Sequence, residues 1–305
     1  MTEIAIKQYK ESTVPTATLC GRITSVLESC SMSIDSAKRS PISIGITTLP
    51  SRILKIRPCL ESLLAGSVVP DKIFLALPAF SRREKSPYSV PEFLRDHSFC
   101  RSIVEVVEAD RDWGPGTKLL GALDFVPANS YLVLADDDVR YRPEFLANLM
   151  AAQVLNHRAS FSHYTYRAEG LTIGQGCDGF SFWTPNLAGI RSFAEAHIAE
   201  TDLFFHDDLW ISFFLASRGV AIRSLAHVSG ARLIYESEHE TNSLRHLSGD
   251  LAREQLNREG VKYLLSKVQI NKRARCSIFL AAKYDKLLHF LMRASRFLAR
   301  IIAPA

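Results

Sequence analysis

Tyr131-Leu132-Val133-Leu134-Ala135-Asp136-Asp137-Asp138 is the stretch from which the fold can be read. A short aliphatic run, bounded by Asn129-Ser130 on one side and by charge on the other, predicts a buried β-strand. In an open α/β sheet, ligands bind outside the carboxyl ends of the strands. Three carboxylates crowded at such an end repel one another, and a divalent cation relieves that repulsion. Hard oxygen ligands suit Mg²⁺ or Mn²⁺, which share their coordination with substrate phosphates. The plainer alternative is a solvated acidic turn ahead of a helix, since Pro143-Glu144 suits a first helical turn.

Working outward, Ile42 to Thr48 alternates and is rich in β-branched residues, so it predicts a first strand. Arg52 to Leu64 carries apolar residues at helical spacing (Ile53, Ile56, Leu60, Leu63, Leu64). Lys72 to Leu77 predicts a second strand, Pro78 to Pro91 a long loop and Ser102 to Val107 a third strand. A short helix over Thr117 to Leu123 precedes the fourth strand at Tyr131 to Ala135, and a helix over Glu144 to Leu155 follows it. After Arg158 the pattern is mixed, with an aromatic-rich strand candidate at Phe161 to Tyr166. Strands alternating with helices imply right-handed crossovers and a mostly parallel sheet flanked by helices. Residues 1–40 are polar and predict an N-terminal extension, partly disordered or helical. The body of the fold is expected over 41–265, with a basic helical segment over 266–305.

The chain has 305 residues, 47% hydrophobic and 23% charged, the balance of an ordinary globular protein with a sizeable core. A net charge of +5 suits an anionic small molecule or an acidic membrane surface, and is too mild to argue for nucleic acid. Cys20, Cys30, Cys59, Cys100, Cys177 and Cys276 are scattered with no CxxC pair, so neither a zinc site nor a disulfide framework is indicated. Reduced thiols in a cytoplasm are the simplest account. Met1 to Lys10 has no apolar segment of the signal-peptide kind, and no run of about 18 uncharged apolar residues predicts a membrane span. From Ile278 to Ile302, apolar residues at helical spacing face Lys283, Lys286, Arg293, Arg296 and Arg300. Such a helix lies in an anionic membrane interface or packs on protein. The expected location is cytoplasmic, with peripheral contact to the inner face of the membrane through 278–303 only if that helix takes the first of these two forms.

Four other segments could carry chemistry. Asp110-Arg111-Asp112-Trp113-Gly114-Pro115-Gly116-Thr117-Lys118 follows the third strand and opens a helix, where glycines admit a ligand and helix-terminal N–H groups favour anions. Lys118 is within reach of a diphosphate there, unless the segment is merely a turn with a solvated lysine. It lacks the Walker A spacing. His206-Asp207-Asp208 opens the apolar stretch Leu209 to Leu215. One acid could cap that helix. A second adjacent one is harder to explain structurally, and a carboxylate in a partly dry cleft can act as general base. Between them, Gly174 to Trp183 predicts a tight loop beside a flat binding surface, or equally a turn into a core strand. His239 lies in an acidic polar loop and could complete a metal shell as a neutral imidazole.

In this order the pieces resemble the glycosyltransferases of the GT-A fold, and within them the large inverting family 2. The resemblance spans roughly Pro41 to Leu265. Its most specific elements are Asp136-Asp137-Asp138, similar to the DxD motif, and Asp207-Asp208, similar to the acidic pair that holds the base. It implies a GT-A, Rossmann-like α/β fold and a metal-dependent hexosyltransferase using Mn²⁺ or Mg²⁺. Under it Asp136 and Asp138 contact metal, with His239 a third ligand, and Asp137 touches ribose or metal. Thr47 and Arg52 line the nucleotide site, and Asp110, Gly116 and Lys118 approach the nucleobase or diphosphate. Asp208 is the base and Asp207 supports it. One departure stands out. The family often carries an acid just after the second strand, and here that position reads Leu77-Pro78-Ala79-Phe80. UDP is therefore only a default for the donor nucleotide, and a glycan or lipid-linked glycan is the expected acceptor.

Two other readings stay open. A sugar-phosphate nucleotidyltransferase usually has a Gly-rich basic signature after the first strand, which Thr47 to Arg52 lacks. A non-catalytic binding protein of the same fold is opposed by the full set of acids.

Overall fold

The computed structural model describes residues 40–225, 250–268 and 270. His239, the strand candidate Arg232 to Tyr235, the polar extension and the basic helix over 278–303 lie outside the described residues.

The chain from Pro41 runs through β1 (Ile42–Ile46), α1 (Arg57–Leu64), β2 (Lys72–Pro78), the short β3 (Phe80–Ser81) and β4 (Ser86–Pro87), and α2 (His97–Cys100). It continues with β5 (Val104–Ala109), α3 (Thr117–Leu123), β6 (Tyr131–Leu134), α4 (Phe145–Leu155) and β7 (Ala159–Ser162). Then follow β8 (Thr165–Ala168), β9 (Leu171–Gly174), β10 (Phe180–Trp183), α5 (Ile190–His197), α6 (Asp207–Ser217), β11 (Ala221–Ser224) and α7 (Asp250–Lys267). Seven strands form one sheet in the order β11-β7-β10-β6-β1-β2-β5. Every pairing in it is parallel except those of β10, which runs against β6 and β7. This is a mixed, largely parallel α/β sheet flanked by helices, the layout expected of a GT-A fold.

Most predicted elements stand where the periodicity places them, and the differences have local causes. The helix expected from Arg52 is split into a 3-10 turn, Ile53–Lys55, and α1, which carries Pro58 in its first turn. The third strand starts two residues late because Arg101 and Ser102 turn the chain with φ of 52° and 56°. The loop after β2 folds back on itself as the β3–β4 pair. The single strand expected over Phe161 to Tyr166 is two strands, since the chain leaves the main sheet after Ser162 and β8 pairs with β9 instead. Gly174 to Trp183 contains both features read from it, a tight loop and then a core strand, β10.

Strand β6 is central and wholly buried, between β1 and β10. Its residues alternate between two cores, as the two-residue period of a strand requires. Tyr131, Val133 and Ala135 pack with α1 and α4 residues such as Leu60 and Leu149. Leu132 and Leu134 pack with α3 and α6 residues such as Leu119 and Trp210. Helix α3 is pressed hard onto the sheet: a Cβ at Gly45 would lie 2.2 Å from the Lys118 carbonyl oxygen, so only glycine permits this approach. Among the described residues no helix is long and apolar enough to cross a membrane.

Candidate active site at the carboxyl end of the sheet

The alternation along β6 carries into the acids that follow it. Ala135 still bonds through its N–H to the Gly45 carbonyl, so the chain leaves the sheet in strand register. Asp136 has the parity of Leu132 and Leu134 and turns to the α3–α6 side, where its Oδ1 meets Lys118 Nζ at 2.7 Å. Asp137 has the parity of Val133 and Ala135 and turns to the α1 side. There Arg52 donates through Nε to its Oδ2 at 3.0 Å and through Nη2 to its Oδ1, and the Thr48 hydroxyl donates to Oδ2. At 8% exposure Asp137 is a buried carboxylate fully occupied by Arg52 and Thr48, not a solvated turn residue. The chain then bends, and Asp138 Oδ2 lies 3.3 Å from Arg52 Nη2. Burial, then the charge of Asp136, raises the Asp138 carboxyl above its ordinary value.

Lys118 is 4% exposed, in a short helix whose residues Thr117 to Ala122 are all buried. A buried ammonium requires paired carboxylates. Lys118 has Asp136 and also Asp207, whose Oδ2 lies 2.9 Å from Nζ. Burial by itself would lower the lysine, but Asp136, Asp207 and Asp208 together hold it well above its ordinary value. One side chain thus joins the acids of the fourth parallel strand to those that open α6, two clusters some seventy residues apart in the chain.

Helix α6 is apolar all round, with Leu209 to Ala216 buried throughout. Its N-cap residue is His206, with no side-chain cap bond, so neither Asp207 nor Asp208 serves the capping role. Asp208 instead accepts the Gly176 N–H at 2.8 Å. Burial and the neighbouring charges of Asp207 and Asp136 push its carboxyl up to about 7, against the opposing pull of Lys118 and the Gly176 amide. A Cβ on residue 176 would stand 2.9 Å from Lys118 Nζ and 3.2 Å from Asp208 Oδ1, so the glycine opens the space in which these charges meet.

The other predicted residues fall around this centre. Gly116 packs flat on α6, where a Cβ would lie 2.6 Å from the Trp210 ring, and this contact fixes Lys118 relative to Asp207. Thr47 donates its hydroxyl to the Ala76 carbonyl at 2.8 Å and ties the exit of β1 to β2. Asp110 sits apart, accepting from Trp113 Nε1 at 3.0 Å and pairing with Arg191 at 2.9 Å. It lines a cleft of about 390 Å³ at the ends of β2 and β5, with Phe80, Arg82, Glu108 and Asp112. The position after β2 carries no acid, and the acids that line this cleft come from the end of β5 and the turn after it.

Tyr141 was not singled out by its sequence, yet it organises the acidic turn. Its hydroxyl accepts the Asp136 N–H at 2.8 Å and donates to the Cys177 carbonyl at 3.2 Å, linking that turn to the glycine loop. The one available signal was an aromatic residue between Arg140 and Arg142, which full burial then explains. Cys59 also reaches the turn, its thiol donating to the Asp136 carbonyl at 3.3 Å.

The donor chemistry fits a hard divalent cation. Asp136 and Asp138 have side chains 29% and 23% exposed, reachable from solvent, and burial first and then the charge of Asp136 raise the Asp138 carboxyl. Among the described residues no group of three or more His, Cys, Asp and Glu is arranged to hold a metal. Mg²⁺ needs no such cage, since one or two carboxylates with substrate phosphates suffice.

No protein-family profile matches the chain, and no curated protein matches it. Among solved structures it is similar to the crystal structure of residues 1–349 of S. aureus TarS. The identity is 14% over 80% of this chain and 72% of that one, with a TM-score of 0.45.

Proposed function

We propose that this chain is a glycosyltransferase that moves a sugar from a nucleotide-diphosphate donor to an acceptor hydroxyl with inversion. One observation carries the reading. Lys118 brings the strand-end acids and the α6 acids into a single charged centre, with Asp208 poised near neutral pH beside it.

The chemistry needs two things at once. The acceptor hydroxyl must lose its proton as its oxygen attacks the anomeric carbon, and the sugar–diphosphate bond must break with its electron pair leaving on phosphate. Asp208 takes the proton; a carboxyl near 7 is matched to a reaction run at neutral pH. The Gly176 N–H holds that carboxylate in place, and Asp207 supports the base indirectly by keeping Lys118 beside it. Asp136 and Asp138 would hold the cation, Mn²⁺ or Mg²⁺, and a cation bound there would neutralise charge developing on the leaving diphosphate. Arg52, anchored on Asp137, adds positive charge on the same side. A UDP-sugar donor and a glycan or lipid-linked acceptor complete the proposal. The cleft beside Asp110 is the proposed seat of the nucleobase.

A thermal-shift screen of nucleoside diphosphates tests it. One nucleotide should raise the melting temperature with Mn²⁺ present and not without it. Slow hydrolysis of the matching nucleotide-sugar then separates an enzyme from a binding protein. Stabilisation by no nucleotide under either condition would refute the donor assignment.

A further inference from the structure

We infer that Lys118 is the resident counter-cation of this site, and that it gives up Asp136 when a divalent cation arrives with a nucleoside diphosphate. This rests on the reading above that Asp136 and Asp138 receive the cation. The free protein should therefore take up Mn²⁺ weakly, with nucleotide and cation each promoting the binding of the other.

The geometry supports the exchange at three points. First, Lys118 Nζ is 2.7 Å from Asp136 Oδ1, so it already occupies the position from which a second positive charge would be repelled. Second, the ammonium has an alternative partner. Asp207 Oδ2 at 2.9 Å keeps it paired when Asp136 is withdrawn, so the move leaves no buried charge alone. Third, there is room for it. Lysine carries a compact charge on a flexible stem, and the missing Cβ of Gly176 leaves open the space beside Nζ. The diphosphate matters because its negative charge offsets the positive charge added when cation and lysine share the site. Coupling of the two ligands is reciprocal by linkage.

The test is Mn²⁺ affinity, read by electron paramagnetic resonance of the unbound ion, with no turnover involved. Lys118→Met combined with Asp207→Asn removes both partners of one pair, which preserves the buried charge balance and leaves Asp136 free. Without nucleotide, this variant should bind Mn²⁺ about tenfold or more tighter than wild type. Lys118→Arg keeps a permanent charge on the acids and should bind no tighter than wild type. Wild type should gain a comparable factor on addition of the nucleoside diphosphate. If wild type gains with nucleotide but the double variant binds as weakly as wild type without it, the counter-cation role is wrong and the site assignment stands. A tighter Lys118→Arg would also overturn the inference. If no form takes up Mn²⁺ even with nucleotide, the cation site itself is refuted.

Discussion

Asp208→Asn should lower the rate of sugar transfer by about 10²- to 10⁴-fold, the usual contribution of a positioned general base. The amide keeps the shape of the carboxyl but cannot accept the acceptor's proton. Substrate binding should change far less than turnover, because Asp136 and Asp138 are untouched. The pH profile gives a second reading of the same residue. Burial first, and then Asp207 and Asp136, raise its carboxyl from an ordinary 3.8 to about 7. Wild-type kcat/KM should rise with pH through about 7 as the base form appears, and the residual rate of Asp208→Asn should lack that limb. Stability moves in the opposite sense. The folded carboxyl binds its proton more tightly than the unfolded one, so its favourable contribution is complete below about 3.8 and is lost as pH rises through about 7. The variant should consequently lose less stability than wild type between those limits. Wild-type turnover in the variant would remove Asp208 from the mechanism. A collapsed fold would make it a structural acid.

Arg52→Met should cost about 3–5 kcal/mol of folding stability, measured by urea unfolding, because it strands a buried carboxylate. Asp137 is 8% exposed, and both its oxygens accept from Arg52. With the guanidinium gone, the Thr48 hydroxyl is a neutral donor and cannot balance the charge. Arg52→Met with Asp137→Leu removes both charges and should recover most of the loss, since a well-packed apolar pair often matches a buried ion pair. A loss below about 1 kcal/mol for the single variant would place the pair in the class of solvent-screened bridges. The contrast separates the three adjacent acids: the central one fastens the end of β6 to the loop after β1, and its more exposed neighbours are the ones proposed to receive the cation.

That division could have been drawn from the sequence. The run from Tyr131 to Ala135 is a strand, a strand alternates, and the alternation continues into Asp136 and Asp137. The parallel core strands were equally readable, because each is a β-rich apolar run separated by a helical pattern. The reversed strand β10 was not. Phe180 to Trp183 is apolar whichever way it runs, and direction is set by the connection through β8 and β9. The sequence offers Lys118 either as a group within reach of a diphosphate or as a solvated turn lysine. That it bridges two acid clusters depends on Gly116 and Gly45 drawing α3 against Trp210 and β1, a tertiary fact with no local signature. Tyr141 was missed for the same reason, as its hydroxyl joins two loops that are thirty-six positions apart.

The most direct test is a crystal of the wild-type protein soaked with Mn²⁺ and the stabilising nucleoside diphosphate, with the ion located by anomalous scattering. A peak about 2.0–2.3 Å from oxygens of Asp136 or Asp138 and of the diphosphate is the predicted result. A peak elsewhere, with Asp136 still held by Lys118 and Asp138 by Arg52, would contradict the account.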